Sequence, residues 1–148
     1  MKILAASSGG GHWVELLRVI PAFAGHDIHF ATVRQDYRKD IDTEAPFHSL
    51  TDATQWTPVR AAVLAVQVFI LVLRLRPELV ISTGAAPGYF AVRFGKLFGA
   101  RTIWIDSLAN VEQLSKAGSM AGKYADLWLT QWPELAGNGG PEYAGQVI

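Results

Sequence analysis

The sequence contains no cysteine, which excludes disulfide bonds, thiolate catalysis and thiolate metal sites. It also has no net charge, because 13 lysines and arginines balance 13 aspartates and glutamates. Proteins that bind nucleic acids usually carry a basic excess, so we expect no nucleic-acid partner. The opening segment MKILAA offers only five apolar residues before a polar turn, which is too short for the apolar core of a signal peptide.

Three familiar motifs are also missing from the sequence. No glycine loop continues into Gly-Lys-Ser or Gly-Lys-Thr, so there is no ATP-binding P-loop, and a dinucleotide fingerprint that starts at Gly9 fails at Val14. No Gly-x-Ser-x-Gly motif is present, which excludes the usual nucleophile elbow of hydrolases. The histidines His26, His29 and His48 lack the spacing of metal ligands. We therefore expect neither a metal nor a tightly bound cofactor.

What the sequence does contain is a regular alternation of strands and helices. Strands are predicted at 2–6, 27–33, 79–82, 102–105 and 127–130, with a short one in 47–50, and helices at 11–20, 56–75, 88–98 and 118–124. This order is typical of a single Rossmann-like, doubly wound parallel sheet, an α/β fold, here with about six strands. We assign residues 1–136 to this domain. Residues 137–148 look like a loop or an unpacked end.

The longest apolar stretch consists of thirteen residues, 61–73, interrupted only by Gln67. A membrane-spanning helix needs about twenty residues, so we expect no spanning helix here. Two interpretations stay open. The helix is buried between the sheet and solvent, or its apolar face lies on an anionic membrane, bordered by Arg60, Arg74 and Arg76.

Two glycine-rich segments each end a predicted strand and open a helix. They are SSGGGHW, residues 7–13, and STGAAPGYF, residues 82–90. Glycine lets backbone N–H groups approach an anion, and a helix N-terminus attracts one. The pair therefore predicts a phosphate or diphosphate site, although two ordinary connections would look the same. The residues that would form it are Ser8, Gly9, Gly10, Gly11, Thr83, Gly84 and Gly88.

His12 and Asp106 are the candidate catalytic residues. His12 opens a helix beside the predicted anion site, where an imidazole takes a proton from a hydroxyl or pairs with phosphate, or has only a structural role. Asp106 follows a predicted strand, where a carboxylate accepts a proton or caps the next helix.

Five segments together carry a family resemblance over almost the whole chain: SSGGGHWVELL, PELVISTGAAPGYFAV, ARTIWIDSLANVEQLS, GKYADLWLTQWPELA and EYAG. The sequence resembles the membrane-associated subunit of two-subunit UDP-sugar glycosyltransferases. These enzymes include the UDP-N-acetylglucosamine transferase that adds the second sugar of lipid-linked oligosaccharides, and bacterial counterparts in capsule and exopolysaccharide synthesis. The glycine loop is shared more widely, with the MurG-type transferases.

The resemblance implies the N-terminal, acceptor-binding half of a GT-B glycosyltransferase. A separate small catalytic subunit would hold the UDP-sugar donor, and the acceptor would be a polyprenyl-diphosphate-linked saccharide. His12 then matches a histidine that activates the acceptor hydroxyl, and Asp106 stands where relatives often have glutamate. The segment around Trp132 would dock the partner, through Gln131, Trp132, Pro133 and Glu134 and the tail that follows.

The resemblance also implies peripheral binding to the cytoplasmic face of the membrane. The predicted contact residues are Trp56, Arg60, Phe69, Arg74 and Arg76, since eukaryotic relatives use an N-terminal anchor and this chain starts at its first strand. The expected reaction is inverting sugar transfer. The alternative is a non-catalytic membrane scaffold that recruits and activates the catalytic subunit.

Overall fold

The computed structural model describes residues 1–54 and 56–148 and contains a parallel sheet of seven strands in the order β3-β2-β1-β4-β5-β6-β7. The first three strands in the chain build one half of the sheet, and the chain then crosses over to build the other half. The predicted fold class is confirmed. The strands are β1 (Lys2–Ser7), β2 (Asp27–Thr32), β3 (Phe47–Ser49), β4 (Leu79–Gly84), β5 (Arg101–Ile105), β6 (Leu127–Thr130) and β7 (Glu142–Tyr143).

Helices cover both faces of the sheet. Their bounds are α1 (Gly11–Val19), α2 (Pro58–Leu75), α3 (Ala85–Leu97) and α4 (Lys116–Ala121), with short 3₁₀ turns at Ile20–Phe23, Gln35–Asp40 and Pro133–Leu135. Side chains of β1 alternate between the two faces. Ile3 and Ala5 pack with α1, whereas Leu4 and Ala6 pack with α2, α3 and α4. A sheet covered in this way has almost continuous apolar strands, as β1 and β4 do.

The last strand was not predicted. Glu142 and Tyr143 are both exposed and pair with β6 at the edge of the sheet. Further along, the Val147 N–H donates to the side-chain oxygen of Gln131 at 2.7 Å. Within the segment 137–148, expected to be a loop or an unpacked end, residues 142–143 therefore add an edge strand to the sheet.

Helix α2 is longer than the thirteen-residue apolar run that the sequence shows. With 18 residues and a mean hydropathy of 1.9, it is long and apolar enough to cross a membrane by length and composition alone. The length argument against a spanning helix was therefore wrong. Only one side of the helix is buried in the domain, through Leu64, Val68 and Val72.

Candidate functional site

Strands β1 and β4 lie side by side at the point where the strand order reverses. Ligands of doubly wound proteins bind at this switch point, outside the carboxyl ends of the strands. The register between the two strands shifts at Ala6 and Ser7, so that Ser7 pairs with Gly84. The two glycine segments follow these strands and flank the crevice. The structure thus brings the two predicted loops together, although they are more than 70 positions apart in the sequence.

His12 joins the two loops. Its Nδ1 lies 3.1 Å from the carbonyl oxygen of Thr83, and the Thr83 hydroxyl donates to the carbonyl oxygen of His12 at 2.6 Å. A carbonyl oxygen only accepts hydrogen bonds, so Nδ1 carries the proton and donates it. In the neutral imidazole the other ring nitrogen, Nε2, then has the lone pair and can act as a base.

Gly84 makes room for the histidine. A Cβ at this position would overlap the imidazole of His12, and the backbone φ of 147° is one that side chains disfavour. The next residue, Ala85, has a φ of 63°, an unusual value outside glycine. Strained backbone of this kind is concentrated at functional sites.

The rest of the second loop is equally tight. The Ser82 hydroxyl accepts the N–H of Gly84 at 3.1 Å, and a Cβ at Gly88 would overlap that hydroxyl. Gly84, Ser82 and Gly88 therefore fix the path of the chain from β4 into α3. The predicted residues Thr83, Gly84 and Gly88 are all buried.

Helices α1 and α3 start at this crevice. Neither receives a side-chain cap from the described residues. An α-helix leaves its first N–H groups without partners inside the helix, and these groups attract an anion. The first loop is held by Tyr37, whose hydroxyl accepts the N–H of Gly10 at 2.9 Å and would closely approach a Cβ at Gly9. Ser8 and Gly11 complete this loop.

Asp106 lies at the end of β5 and is 1% exposed. Its Oδ1 accepts hydrogen bonds from Trp104 Nε1 at 3.1 Å and from the Ser115 hydroxyl at 2.6 Å. Its Oδ2 accepts from Asn110 at 3.2 Å and from the Ser115 N–H at 3.0 Å. A carboxylate has about four lone-pair positions, and all four are occupied. This geometry gives Asp106 the role of holding the loop 106–115 in shape and leaves it no free position for an acceptor proton.

We expect Asp106→Ala to lower the free energy of unfolding by about 3 kcal/mol, because it leaves the buried indole N–H of Trp104 and the half-buried donors of Ser115 without an acceptor. Urea denaturation of the purified chain measures this change. The control is Asp52→Ala, which removes an exposed carboxylate. Equal stability of the two variants would contradict the proposed role of Asp106 in holding the loop.

The sequence did not predict the role of a further buried carboxylate, Glu15. It is 6% exposed, and its Oε1 accepts the N–H of Leu108 at 2.7 Å and the amide of Gln131 at 2.8 Å. Gln131 also donates to the carbonyl oxygen of Asp106 at 3.0 Å. Glu15 thus ties α1, which carries His12, to the loop after β5 and the end of β6. Its partners are 93 and 116 positions away, so no local pattern marks it.

The predicted partner-docking residues have different surroundings. Gln131 is buried at the centre of the network around Glu15, and the indole of Trp132 donates to the carbonyl oxygen of Leu108 at 2.7 Å. Both side chains therefore make hydrogen bonds within the domain, with Gln131 buried and Trp132 half-buried. Pro133 and Glu134 are exposed.

The predicted membrane-contact residues lie on α2 or directly beside its ends. Trp56 is 81% exposed, and Arg60, Arg74 and Arg76 are exposed as well. Phe69 is half-buried, because its ring packs against Phe94 and Phe98 of the neighbouring α3 region. Between the arginines runs an apolar stripe of exposed side chains, which we call the α2 stripe: Val59, Val63, Val66, Ile70 and Leu73.

In the part of the chain that the structure describes, no three histidine, aspartate or glutamate side chains form a metal-binding group. Comparison with protein-family models finds no match. Curated relatives do match. The UDP-N-acetylglucosamine transferase subunit ALG14 of Yarrowia lipolytica is 27% identical over 91% of this chain and 62% of its own length. The subunit of the same name from Mus musculus is 23% identical over 91% of this chain and 77% of its own length.

Solved structures match the fold over most of the chain. MurG of Acinetobacter baumannii superimposes with a TM-score of 0.78 at 11% sequence identity, over 97% of this chain and 45% of MurG. A UDP-GlcNAc 2-epimerase of Methanocaldococcus jannaschii gives a TM-score of 0.67 at 9% identity, over 88% of this chain and 39% of the epimerase. The resemblance found in the sequence is confirmed: over most of its length this chain is similar to the ALG14 subunits of UDP-N-acetylglucosamine transferase, and its Rossmann-like fold is similar to that of part of MurG.

Proposed function

We propose that this chain is the acceptor-binding and membrane-recruiting subunit of a two-component inverting glycosyltransferase. The enzyme transfers a sugar from a UDP-sugar to a polyprenyl-diphosphate-linked saccharide. The observation that carries the proposal is His12, held over Gly84 at the switch point with its Nε2 lone pair unused by the contact to Thr83. The naming of the curated relatives as subunits of a UDP-N-acetylglucosamine transferase supports it.

A second, UDP-sugar-binding subunit is part of the proposal, because the curated relatives are named as subunits of a transferase. The chain corresponds to 45% of MurG and supplies one wall of a cleft, at the carboxyl ends of β1 and β4. The donor sugar and its UDP require a facing wall, which a separate small UDP-sugar-binding subunit provides. Within the segment predicted to dock this subunit, Pro133 and Glu134 are exposed, and so are most residues of the tail that follows. These exposed residues form the proposed contact surface.

In the proposed reaction, the acceptor diphosphate lies at the N-termini of α1 and α3, where unpaired N–H groups favour negative charge. Nε2 of His12 removes the proton from the acceptor hydroxyl as its oxygen attacks the anomeric carbon of the donor. The bond from that carbon to UDP breaks, and the electron pair leaves with UDP on the partner's side. One displacement of this kind inverts the anomeric configuration. Asp106 and Glu15 act as positioning residues, through the loop 106–115 and through α1.

Membrane contact is proposed through α2. The stripe exposes five aliphatic side chains in a row, and the helix contains Arg60 and Arg74 but no acidic residue. A helix with an apolar face bordered by basic residues binds at the surface of an anionic membrane. This contact would place the protein peripherally on the cytoplasmic face, beside its lipid-linked acceptor.

The proposal is tested with farnesyl diphosphate, a soluble prenyl diphosphate, titrated into the ¹⁵N-labelled chain without a partner. We expect weak binding that shifts the amide signals of Gly11, His12 and Ala85 at the two helix N-termini. The matched variant Gly84→Val, which displaces His12, should lose these shifts. A non-catalytic scaffold would show no such shifts in the wild type, and that result would overturn the acceptor-binding role.

A further inference from the structure

A second concave site lies on the α2 side of the sheet, away from the switch point. It is a groove of about 530 Å³ between the edge strand β3, its neighbour β2 and the C-terminal half of α2. Volumes of this size are typical of small-molecule sites, which combine apolar walls with a few polar groups. The helix side combines apolar side chains with Gln67 and Arg74, and two histidines line the strand side. We call it the β3–α2 groove; it is lined by His29, His48, Gln67, Ile70, Leu71, Arg74 and Leu75, among others.

The two histidines occupy strand positions next to the apolar core between the sheet and α2. His48 pairs with Ala31 in the sheet, and His29 lies two residues before Ala31, so all three face α2. Ala31 packs in the core with Leu64 and Val68 of that helix. At the next positions along the same face, imidazoles replace aliphatic side chains, and the groove opens beside them.

The imidazoles are stacked, with ring centroids 6.1 Å apart and an angle of 12° between their planes. Nδ1 of His29 and Nε2 of His48 are buried and have no hydrogen-bond partner among the described residues, whereas Nε2 of His29 lies 3.2 Å from Oδ1 of Asp27. Unpaired buried polar atoms are unfavourable. Burial, followed by the influence of His29, lowers the pKa of His48 and keeps its ring neutral. An anion placed beside the rings would reverse this preference, because it favours the protonated imidazole.

Charge and continuity indicate what fills the groove. Arg74 is exposed at its rim, and no carboxylate pairs with it in the part of the chain that the structure describes. Ile70 belongs both to the groove wall and to the α2 stripe, so the apolar surface runs without a break from the stripe into the groove. A ligand that enters from the stripe must be apolar at one end and anionic at the other. A lipid with an anionic head group has this form.

We propose that the β3–α2 groove binds one anionic membrane lipid, with its phosphate at Arg74 and the His29–His48 pair and its chain along Ile70, Leu71 and Leu75. The inference rests on the membrane contact proposed for α2 and goes beyond it. The bound lipid would fix the C-terminal end of α2 on the membrane. It is separate from the acceptor, which lies at the carboxyl ends of β1 and β4.

The test uses dihexanoyl phosphatidylglycerol, added below its micelle concentration to the full chain and followed by calorimetry. We expect binding that is weakened about tenfold or more in Arg74→Gln, because a charge-assisted hydrogen bond is lost. The control is Arg101→Gln, which changes an exposed arginine at the start of β5 and should bind this soluble lipid as the wild type does. Dihexanoyl phosphatidylcholine and glycerol 3-phosphate should both bind much more weakly. Equal binding of either one would overturn the proposal, because it would show that the anionic head or the chain plays no part.

His48→Phe gives an independent readout. The phenyl ring fills the same space without an unpaired nitrogen, so we expect a higher melting temperature together with weaker binding of the short-chain lipid. Unchanged binding in this variant would contradict a role for the imidazole. Vesicles containing phosphatidylglycerol separate the two proposals. If the wild type binds the soluble lipid but no vesicles, the proposed membrane contact is wrong and the proposed lipid site in the groove is supported. If it binds vesicles but no soluble lipid, only the proposed lipid site is wrong.

Discussion

Replacing His12 by asparagine should lower the rate of sugar transfer by about 100- to 10,000-fold, the usual contribution of a general base. Asparagine can keep the donor to the Thr83 carbonyl that Nδ1 now supplies, but it has no basic nitrogen in place of Nε2. The loops at the crevice should therefore stay joined while the chemistry is lost. The measurement, under the proposed function, is transfer from a radiolabelled UDP-sugar to lipid-linked acceptor by the chain co-expressed with the proposed UDP-sugar-binding subunit.

Two further variants test whether the loss of activity is caused by His12 itself. Gly84→Ala leaves His12 in the sequence but places a Cβ where the imidazole now lies, so it should lose activity as His12→Asn does. His26→Asn changes an exposed histidine just before β2, at the amino ends of the strands and away from the crevice at their carboxyl ends, and should keep the wild-type rate. Co-purification of the partner should be the same for all three. A wild-type rate in His12→Asn would remove His12 from the catalytic role.

Much of this fold could be predicted because its signals are local. Apolar runs such as 2–6 and 79–82, each followed by a glycine turn and a helix, are enough to indicate a parallel sheet covered on both faces. Strand β7 could not be predicted, because its two residues are exposed and pair only once β6 is in place. The buried face of α2 could not be predicted either, because the sequence of a helix that is apolar on all sides does not indicate which side packs on the sheet.

The sequence predicted the segments that form the candidate site but not the contacts between them. Each glycine loop is visible in the sequence, but the bond between His12 and Thr83 depends on the pairing of β1 with β4 after a long crossover. The position of Asp106 at the end of a strand was predicted. Its four donors come from residues within nine positions, yet only their folded geometry shows that the carboxylate is fully occupied. The link from Glu15 to Gln131 spans 116 positions and has no counterpart in any local pattern.

Replacing both Val66 and Ile70 by glutamate should abolish binding to anionic vesicles, with a loss of about 100-fold or more. These side chains are 58% and 41% exposed, so the domain does not need them for its core. Burying an aliphatic side chain in an apolar environment contributes about 1.5–3 kcal/mol, and two new carboxylates would also be repelled by the membrane surface. Flotation with vesicles of phosphatidylglycerol and phosphatidylcholine measures the binding.

The matched control is Leu127→Glu, an exposed leucine on β6 that is 37% accessible and not on the stripe. It should bind vesicles as the wild type does, and both variants should keep the wild-type far-UV circular dichroism. Wild-type binding should also fall with added salt, because Arg60 and Arg74 act through screened charges. Equal vesicle binding by the Val66→Glu, Ile70→Glu double variant would contradict the proposed contact.

The same experiment distinguishes surface binding from insertion across the membrane. Leu64, Val68 and Val72 hold α2 on the sheet and cover Leu4 and Val80 of β1 and β4, which share the core on that face. If α2 crossed the bilayer, it would have to leave this face and uncover the core. The domain would then lose stability by about 1.5–3 kcal/mol for each large apolar side chain that becomes exposed to water. Surface binding keeps both faces of the helix buried, one in the protein and one in the lipid, so amide hydrogen exchange in β1 and β4 should stay as slow on vesicles as in solution.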